Sequence, residues 1–472
     1  MNKKSILLFF IILLLTPIAD SQENHLKFTY EEWSLSEEKL GVTGLRFQHD
    51  LSPNYLMGIE TWMAVKGKRG GFITLGVDGT YKVYISPSLT LYNGIFIGAG
   101  GGNGGYYLSG GGLMIRPHVS FSYSLSRLVD ISAGYSHVFF PNGGSIDSSQ
   151  PFIQLSTPLR NKSSSSINSD TSLNPIFRYM IPSDNSRTTG NKKQNDFSLI
   201  GIEAKSYIND KFYLKLETEG SAGGDSSGYM QILVGTGLEI PLSQRLILHS
   251  DISIGGGGGG AVETGGGLLL DAGLGFIYYL SPQIFLGVTE GYMQAPDGEL
   301  EVQSRALKIG YTSAGNINKI KHHFDQKRIR FVYQKYLQAD TAWRVHHNHL
   351  DVGCLGIQLD SFINEDWYLT GQGIAAESGQ AGAYMTGLLG LGREIKWQDK
   401  WFVSSEFLLG AAGGGGLATG SGCVWQINYG LGYRVNKKTE ILFSGGRIES
   451  FDGPFAANVL GLSLNYDLNL FD

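Results

Sequence analysis

Leu246–Gly267 reads LILHSDISIGGGGGGAVETGGG, and Trp401–Gly422 reads WFVSSEFLLGAAGGGGLATGSG. The two align without a gap at an offset of 155 residues. Each begins with apolar residues at every second position and ends in a glycine run. Leu89–Gly112, LTLYNGIFIGAGGGNGGYYLSGGG, has the same plan. A period of two is the pattern of a strand with one apolar face. In the second copy Leu246, Leu248, Ile252 and Ile254 alternate with His249, Asp251 and Ser253. In the third, Trp401, Val403, Phe407 and Leu409 alternate with Ser404 and Glu406.

The offset recurs outward from these stretches. It links Gly201-Ile202 to Gly356-Ile357, Asn209 to Asn364, Tyr213-Leu214 to Tyr368-Leu369, and Tyr229-Met230 to Tyr384-Met385. A turn dipeptide appears three times at the same spacing: Asn142-Gly143, Asp297-Gly298 and Asp452-Gly453. An opening Phe-x-Tyr marks all three copies, at Phe28, Phe177 and Phe331. The chain is therefore an internal triplication. Its unit is far longer than the ~20–50 residues of solenoid or propeller repeats. The expected division is a signal peptide over 1–21, repeats over 22–158, 174–312 and 328–472, and polar linkers over 159–173 and 313–327.

Each copy reads as about eight strands, with no convincing amphipathic helix. Tight turns such as Leu51–Asn54 and Leu125–Arg127 alternate with longer or glycine-rich connections such as Lys66–Gly70 and Gly98–Gly111. Strands of about ten residues, short turns at one end and longer loops at the other are the plan of a transmembrane barrel. In lipid every backbone polar group must pair internally, which only helices and closed barrels achieve. The closing LNYDLNLFD of Leu464–Asp472 resembles the C-terminal strand of bacterial outer-membrane β-barrels, although Asp472 follows the terminal aromatic Phe471. The resemblance implies an outer-membrane location in a Gram-negative cell, with membrane lipid and the barrel-assembly machinery as partners. The expected fold is all-β: an antiparallel transmembrane barrel of three repeats. It closes as one barrel of about 24 strands, which inserts as a single unit, or alternatively as three tandem eight-stranded barrels, which the long linkers suit.

The remaining features bound function. Lys3 and Lys4, the apolar run Ile6–Leu15 and the small residues before Gln22 form an export signal. A net charge of −5 with few basic clusters makes nucleic acid a poor partner. Glycine is 67 of 472 residues, about twice the usual share. The run GGGGGG lacks the lysine and Ser/Thr of a phosphate loop, so no nucleotide or other cofactor is expected. Cys354 and Cys423 are too few for a disulfide scaffold.

His137 invites comparison with the His-x-Ser pair of outer-membrane lipid A deacylases, but Phe139 stands at the serine position, and the chain reads as a non-enzyme. His346, His347 and His349, beside Asp351, are candidate metal ligands, although neighbouring histidines on a strand point to opposite faces. Lys215, Glu217, Glu219, Asp251 and Glu406 fall on polar strand faces and are candidate lumen-lining groups. Trp33, Trp62, Trp343, Trp367, Trp397 and Trp401 are candidates for interfacial girdles or core. The function expected is a pore, a passive transporter or a structural barrel, for small solutes or a surface partner. The alternative is an exported soluble or surface-attached all-β protein that binds a partner or glycan.

Overall fold

The computed structural model describes residues 24–36, 38–126, 129–159, 171–209, 211–281, 284–311, 326–338, 342–398, 400–436 and 438–468. The expected export signal, most of both linkers and the last four residues lie outside them.

Twenty-four antiparallel strands form three separately closed barrels of eight. The first contains β1 (Asn24–Ser34), β2 (Lys39–Asp50), β3 (Tyr55–Lys66), β4 (Ile73–Ser86), β5 (Leu89–Gly101), β6 (Leu113–Ser124), β7 (Asp130–Phe139) and β8 (Asp147–Leu159). The second contains β9 (Thr171–Pro182), β10 (Phe197–Tyr207), β11 (Phe212–Gly224), β12 (Met230–Pro241), β13 (Leu246–Gly258), β14 (Leu268–Tyr279), β15 (Ile284–Gln294) and β16 (Glu301–Tyr311). The third contains β17 (Lys327–Gln338), β18 (Val352–Phe362), β19 (Trp367–Ala376), β20 (Met385–Lys396), β21 (Trp401–Gly413), β22 (Cys423–Arg434), β23 (Thr439–Ser450) and β24 (Ala456–Leu468). One short helix, α1 (Gly105–Ser109), follows β5.

Closure is made within each copy. Phe28 of β1 faces Leu155 of β8, Phe177 of β9 faces Leu307 of β16, and Phe331 of β17 faces Leu464 of β24. Of the two closures, the tandem one is present and the single wide barrel is not.

Eight of the tight turns share one construction. The amides of Leu51, Leu125, Ile208, Leu242, Leu280, Ile363, Trp397 and Val435 each donate to the carbonyl four residues on. In seven of these turns the residue after that apolar one is Ser or Asn, and its side-chain oxygen accepts the amide three residues on, at or next to the start of the following strand, as Asn209 does from Phe212 at 2.9 Å. These are the side chains that favour turns by bonding their own backbone.

The barrels pack on one another in a cycle. The third strand of each contacts the fifth strand of the next: β3 with β13, β11 with β21, and β19 with β5. The glycine runs lie at these contacts. A Cβ on Gly101 or Gly258 would stand 2.6 Å from the backbone nitrogen of Ala383 or Gly71 respectively, and one on Gly413 would come closer still to that of Gly228. Gly71, Gly228 and Ala383 are themselves equivalent positions, with φ of 81°, 86° and 84°. Glycine is required in the fifth strand because the neighbouring barrel's backbone occupies the space of its side chain. The fourth strands, β4, β12 and β20, therefore face a pseudo-threefold axis. Near the loop end that axis is closed by Met63, Ile73, Ala99, Ile232, Ala375 and Met385, which form one apolar cluster drawn from all three barrels.

Candidate functional site

The interior of each barrel has two layers. Toward the loop end it is apolar and largely aromatic. Trp33, Trp62, Phe72, Phe96 and Phe140 fill the first barrel, Phe197, Tyr229, Leu233 and Met293 the second, and Trp343, Tyr336, Tyr384 and Phe455 the third. Trp33, Trp62 and Trp343 are thus core residues and not girdle residues. Trp367, Trp397 and Trp401 do lie exposed near the turn end.

Below these caps lie ion-pair networks. In the first barrel the Glu31 carboxylate accepts from Arg116, from the Trp33 indole at 2.8 Å and from Gln150 at 3.0 Å. The Arg116 guanidinium stacks 4.4 Å from the Trp62 ring. Arg46 joins Glu60 at 2.8 Å and Asp78 at 3.3 Å, and Asp78 also meets His118 at 2.8 Å.

In the second barrel Arg178 bridges Glu217 at 3.0 Å and Glu219 at 3.1 Å. Lys215 pairs with Asp251 and, at 3.2 Å, with Glu217. Lys308 pairs with Glu203. In the third, Arg328 reaches Asp360, Glu394 and Glu440 at 2.8, 2.8 and 3.0 Å, while Arg330 reaches Asp360 at 2.6 Å and Glu406 at 2.8 Å. Tyr368, Gln358 and Asn428 also donate to Glu406.

Lys215, Glu217, Glu219 and Asp251 thus come together inside one barrel, and Glu406 lies at the equivalent place in another. All five are at most 6% exposed. A side chain lining an open channel is wetted by it, and these are packed and paired instead. The interior of an eight-stranded barrel is wide enough for side chains to fill or for one small ligand, and here buried side chains occupy it. Sequence reading missed the cations that organise these networks, Arg116, Arg178, Arg328 and Arg330. They sit on the same alternating polar faces, but alternation marks a face and not a partner.

The barrel exteriors are the reverse. On β6, Val119, Phe121 and Tyr123 are exposed while Ser120 and Ser122 are buried. On β8, Ile153 is 64% exposed and its neighbour Gln154 only 5%. On β16, Leu307 and Ile309 are exposed and Lys308 is buried between them. Polar-in and apolar-out is the arrangement of a barrel in lipid.

The loop end is where the copies differ most. The first barrel carries α1 with Tyr106 and Tyr107. The second has a long β9–β10 loop, which with the β15–β16 loop forms a polar cleft of about 560 Å³ that includes Asn185, Arg187, Tyr292 and Glu299. The third has the β17–β18 loop, holding the three candidate histidines.

These histidines do not make a metal centre. Among the described residues no group of three or more His, Cys, Asp or Glu is placed to hold an ion. His347 has φ 55° and packs edge-on against Tyr106, with ring centroids 4.8 Å apart. His137 meets a serine across strands and not along its own: Ser149 stands 2.8 Å from Nδ1. Asp147 lies 3.7 Å from Nε2 and is mostly exposed, so it does not supply the orienting hydrogen bond of a catalytic triad. Cys354 and Cys423 are both free.

No protein-family model matches the chain, and a search of curated proteins finds no match. Among solved structures, the chain is similar to a de novo designed transmembrane β-barrel at 17% identity, over 32% of this chain and 99% of that one, with a TM-score of 0.23. It is similar to OccK11 (OpdR) of Pseudomonas aeruginosa at 12% identity, over 95% and 96%, with a TM-score of 0.24. It is also similar to the siderophore receptor PirA of Pseudomonas aeruginosa at 10% identity, over 96% and 81%, with a TM-score of 0.30. Scores this low carry no functional argument, and the fold rests on the strand pairing given above.

Proposed function

We propose that this chain is an integral outer-membrane protein of the structural-barrel kind: a single-chain trimer of barrels, closed to solute, that presents its loop end at the cell surface. One observation carries the reading, the inversion of polarity between faces. Charged groups such as Arg116, Glu217 and Arg330 are buried inside the barrels, while Phe121, Ile153, Ile252, Phe443 and their neighbours stand bare outside. In water such an exterior would be a large aggregation-prone patch; in lipid it is the required surface. This favours the membrane reading over an exported soluble binding protein. The filled interiors favour a structural role over a pore. The divergence of the three copies at the loop end supports a surface-contact role there, with the start of β1, the end of β24 and the tight turns on the opposite, periplasmic side.

Cell fractionation and bilayer recording test the proposal. The protein is expected in the outer-membrane fraction, with heat-modifiable migration and no steady current when reconstituted. Recovery as a soluble protein overturns the membrane assignment, and a steady conductance overturns the closed-barrel role.

A further inference from the structure

The close backbone approaches between barrels at the glycine runs lie near the loop end. From the apolar seal toward the turns, the outward-facing residues of the fourth strands, on the pseudo-threefold axis, become steadily more exposed. Ile73, Ile232 and Met385, in the seal, are at most 9% exposed. One or two pleats toward the turns, Val77, Val234 and Leu389 are half-buried. Near the turns Val83, Ile240 and Ile395 are 40–45% exposed. Gly387 of β20 occupies the place that Ile232 holds in β12, and a Cβ there would meet nothing within 4 Å.

The space between the fourth strands is thus a funnel, closed toward the loops and open toward the turns. The six residue steps from Val77 to Val83 run about 20 Å along the strand, or roughly 14 Å across a bilayer at a tilt near 45°. That is close to half the ~30 Å hydrocarbon core. The wall is apolar, and the mouth carries residues of the interfacial kind. Tyr55, Phe212 and Trp367 open the three third strands at equivalent positions, all exposed. Tyr55 packs on Tyr81 with ring centroids 4.9 Å apart. Arg393 lies over Trp367, its guanidinium 5.4 Å from the ring. Aromatic and basic side chains in this position suit a headgroup layer.

We infer that this funnel is filled by phospholipid acyl chains from the turn-side leaflet, held between the barrels as part of the folded body. The inference rests on the membrane reading above. The wall is continuous in chemistry with the lipid-facing exterior, and Arg393 is placed to meet a phosphate at the mouth.

Native mass spectrometry of protein extracted from membranes in mild detergent, followed by detergent exchange, tests it. Wild type is expected to retain phospholipid. Gly387→Phe, which fills the floor of the funnel, should reduce retained lipid at least about threefold. Gly445→Phe, on the outward face of β23 and also in open surroundings, should leave it unchanged. Val77→Phe, higher on the wall of β4, is a second funnel-filling variant should Gly387→Phe fail to fold. Detergent adducts alone on membrane-extracted, heat-modifiable wild type would overturn the inference, as would equal lipid on funnel and outward-face variants. A protein that never enters the membrane fraction would overturn the membrane reading itself.

Discussion

Gly258 of β13 lies so close to Gly71 of the first barrel that a Cβ on it would stand 2.6 Å from the Gly71 amide nitrogen. The neighbour is backbone and cannot rotate away. Gly258→Ala must push two barrels apart, and overpacking of this kind costs about 1–3 kcal/mol. Gly413→Ala should behave alike, while Gly387→Ala, with open space at its Cβ, should be neutral. Urea unfolding in detergent checks the ranking. Equal midpoints for all three would remove the inter-barrel contact from the account.

Ala383 is the exception among three equivalent positions. Gly71 and Gly228 adopt a left-handed backbone at no steric cost, whereas Ala383 holds φ 84° with a Cβ. The left-handed region costs an L-residue about 1–2 kcal/mol. Ala383→Gly should therefore raise stability by about 1 kcal/mol, measured by the same unfolding curve. A lower midpoint would mean that the Ala383 methyl contributes packing worth more than the strain.

The Glu31–Arg116 pair separates a packed interior from a wet one. Glu31→Ala removes the carboxylate partner of a buried guanidinium, and breaking such a pair costs about 3–5 kcal/mol. In an open lumen the same change would cost little and would alter ion preference instead. Thermal denaturation in detergent should show a large loss of stability, and reconstitution should still show no current.

Ile153, exposed on β8, separates lipid from water as the surroundings. Ile153→Lys should cost about 2–4 kcal/mol in phospholipid vesicles if the position lies near the bilayer midplane. In a soluble protein an exposed lysine would be within about 0.5 kcal/mol of neutral. Folding titrations into vesicles give the difference directly.

Much of this architecture was legible in the chain. The 155-residue offset showed the triplication, and the alternation around Asp251 and Glu406 marked a polar face without naming its contents. Closure was not legible. Whether Phe28 pairs with Leu155 or with a strand of the third copy depends on contacts far away in sequence, for which the chain carries no local signal. The glycine runs were legible as a feature repeated in each copy and distinct from a phosphate loop. Their true neighbours are residues of another copy, such as Gly228 for Gly413, which no short-range pattern could identify. The interior partners were hidden for the same reason. Arg178 meets Glu217 and Glu219 only because the barrel curls β9 round to β11 through β10. The imidazoles of His346, His347 and His349 looked like a ligand set because they are close in sequence, but the loop does not gather them.

Cryo-electron microscopy of the detergent-extracted chain, viewed along the barrel axes, tests the central claim most directly. Three abutting rings, each filled with density and arranged around a narrow axial space, are predicted. One wide ring of 24 strands around an open lumen would contradict the account.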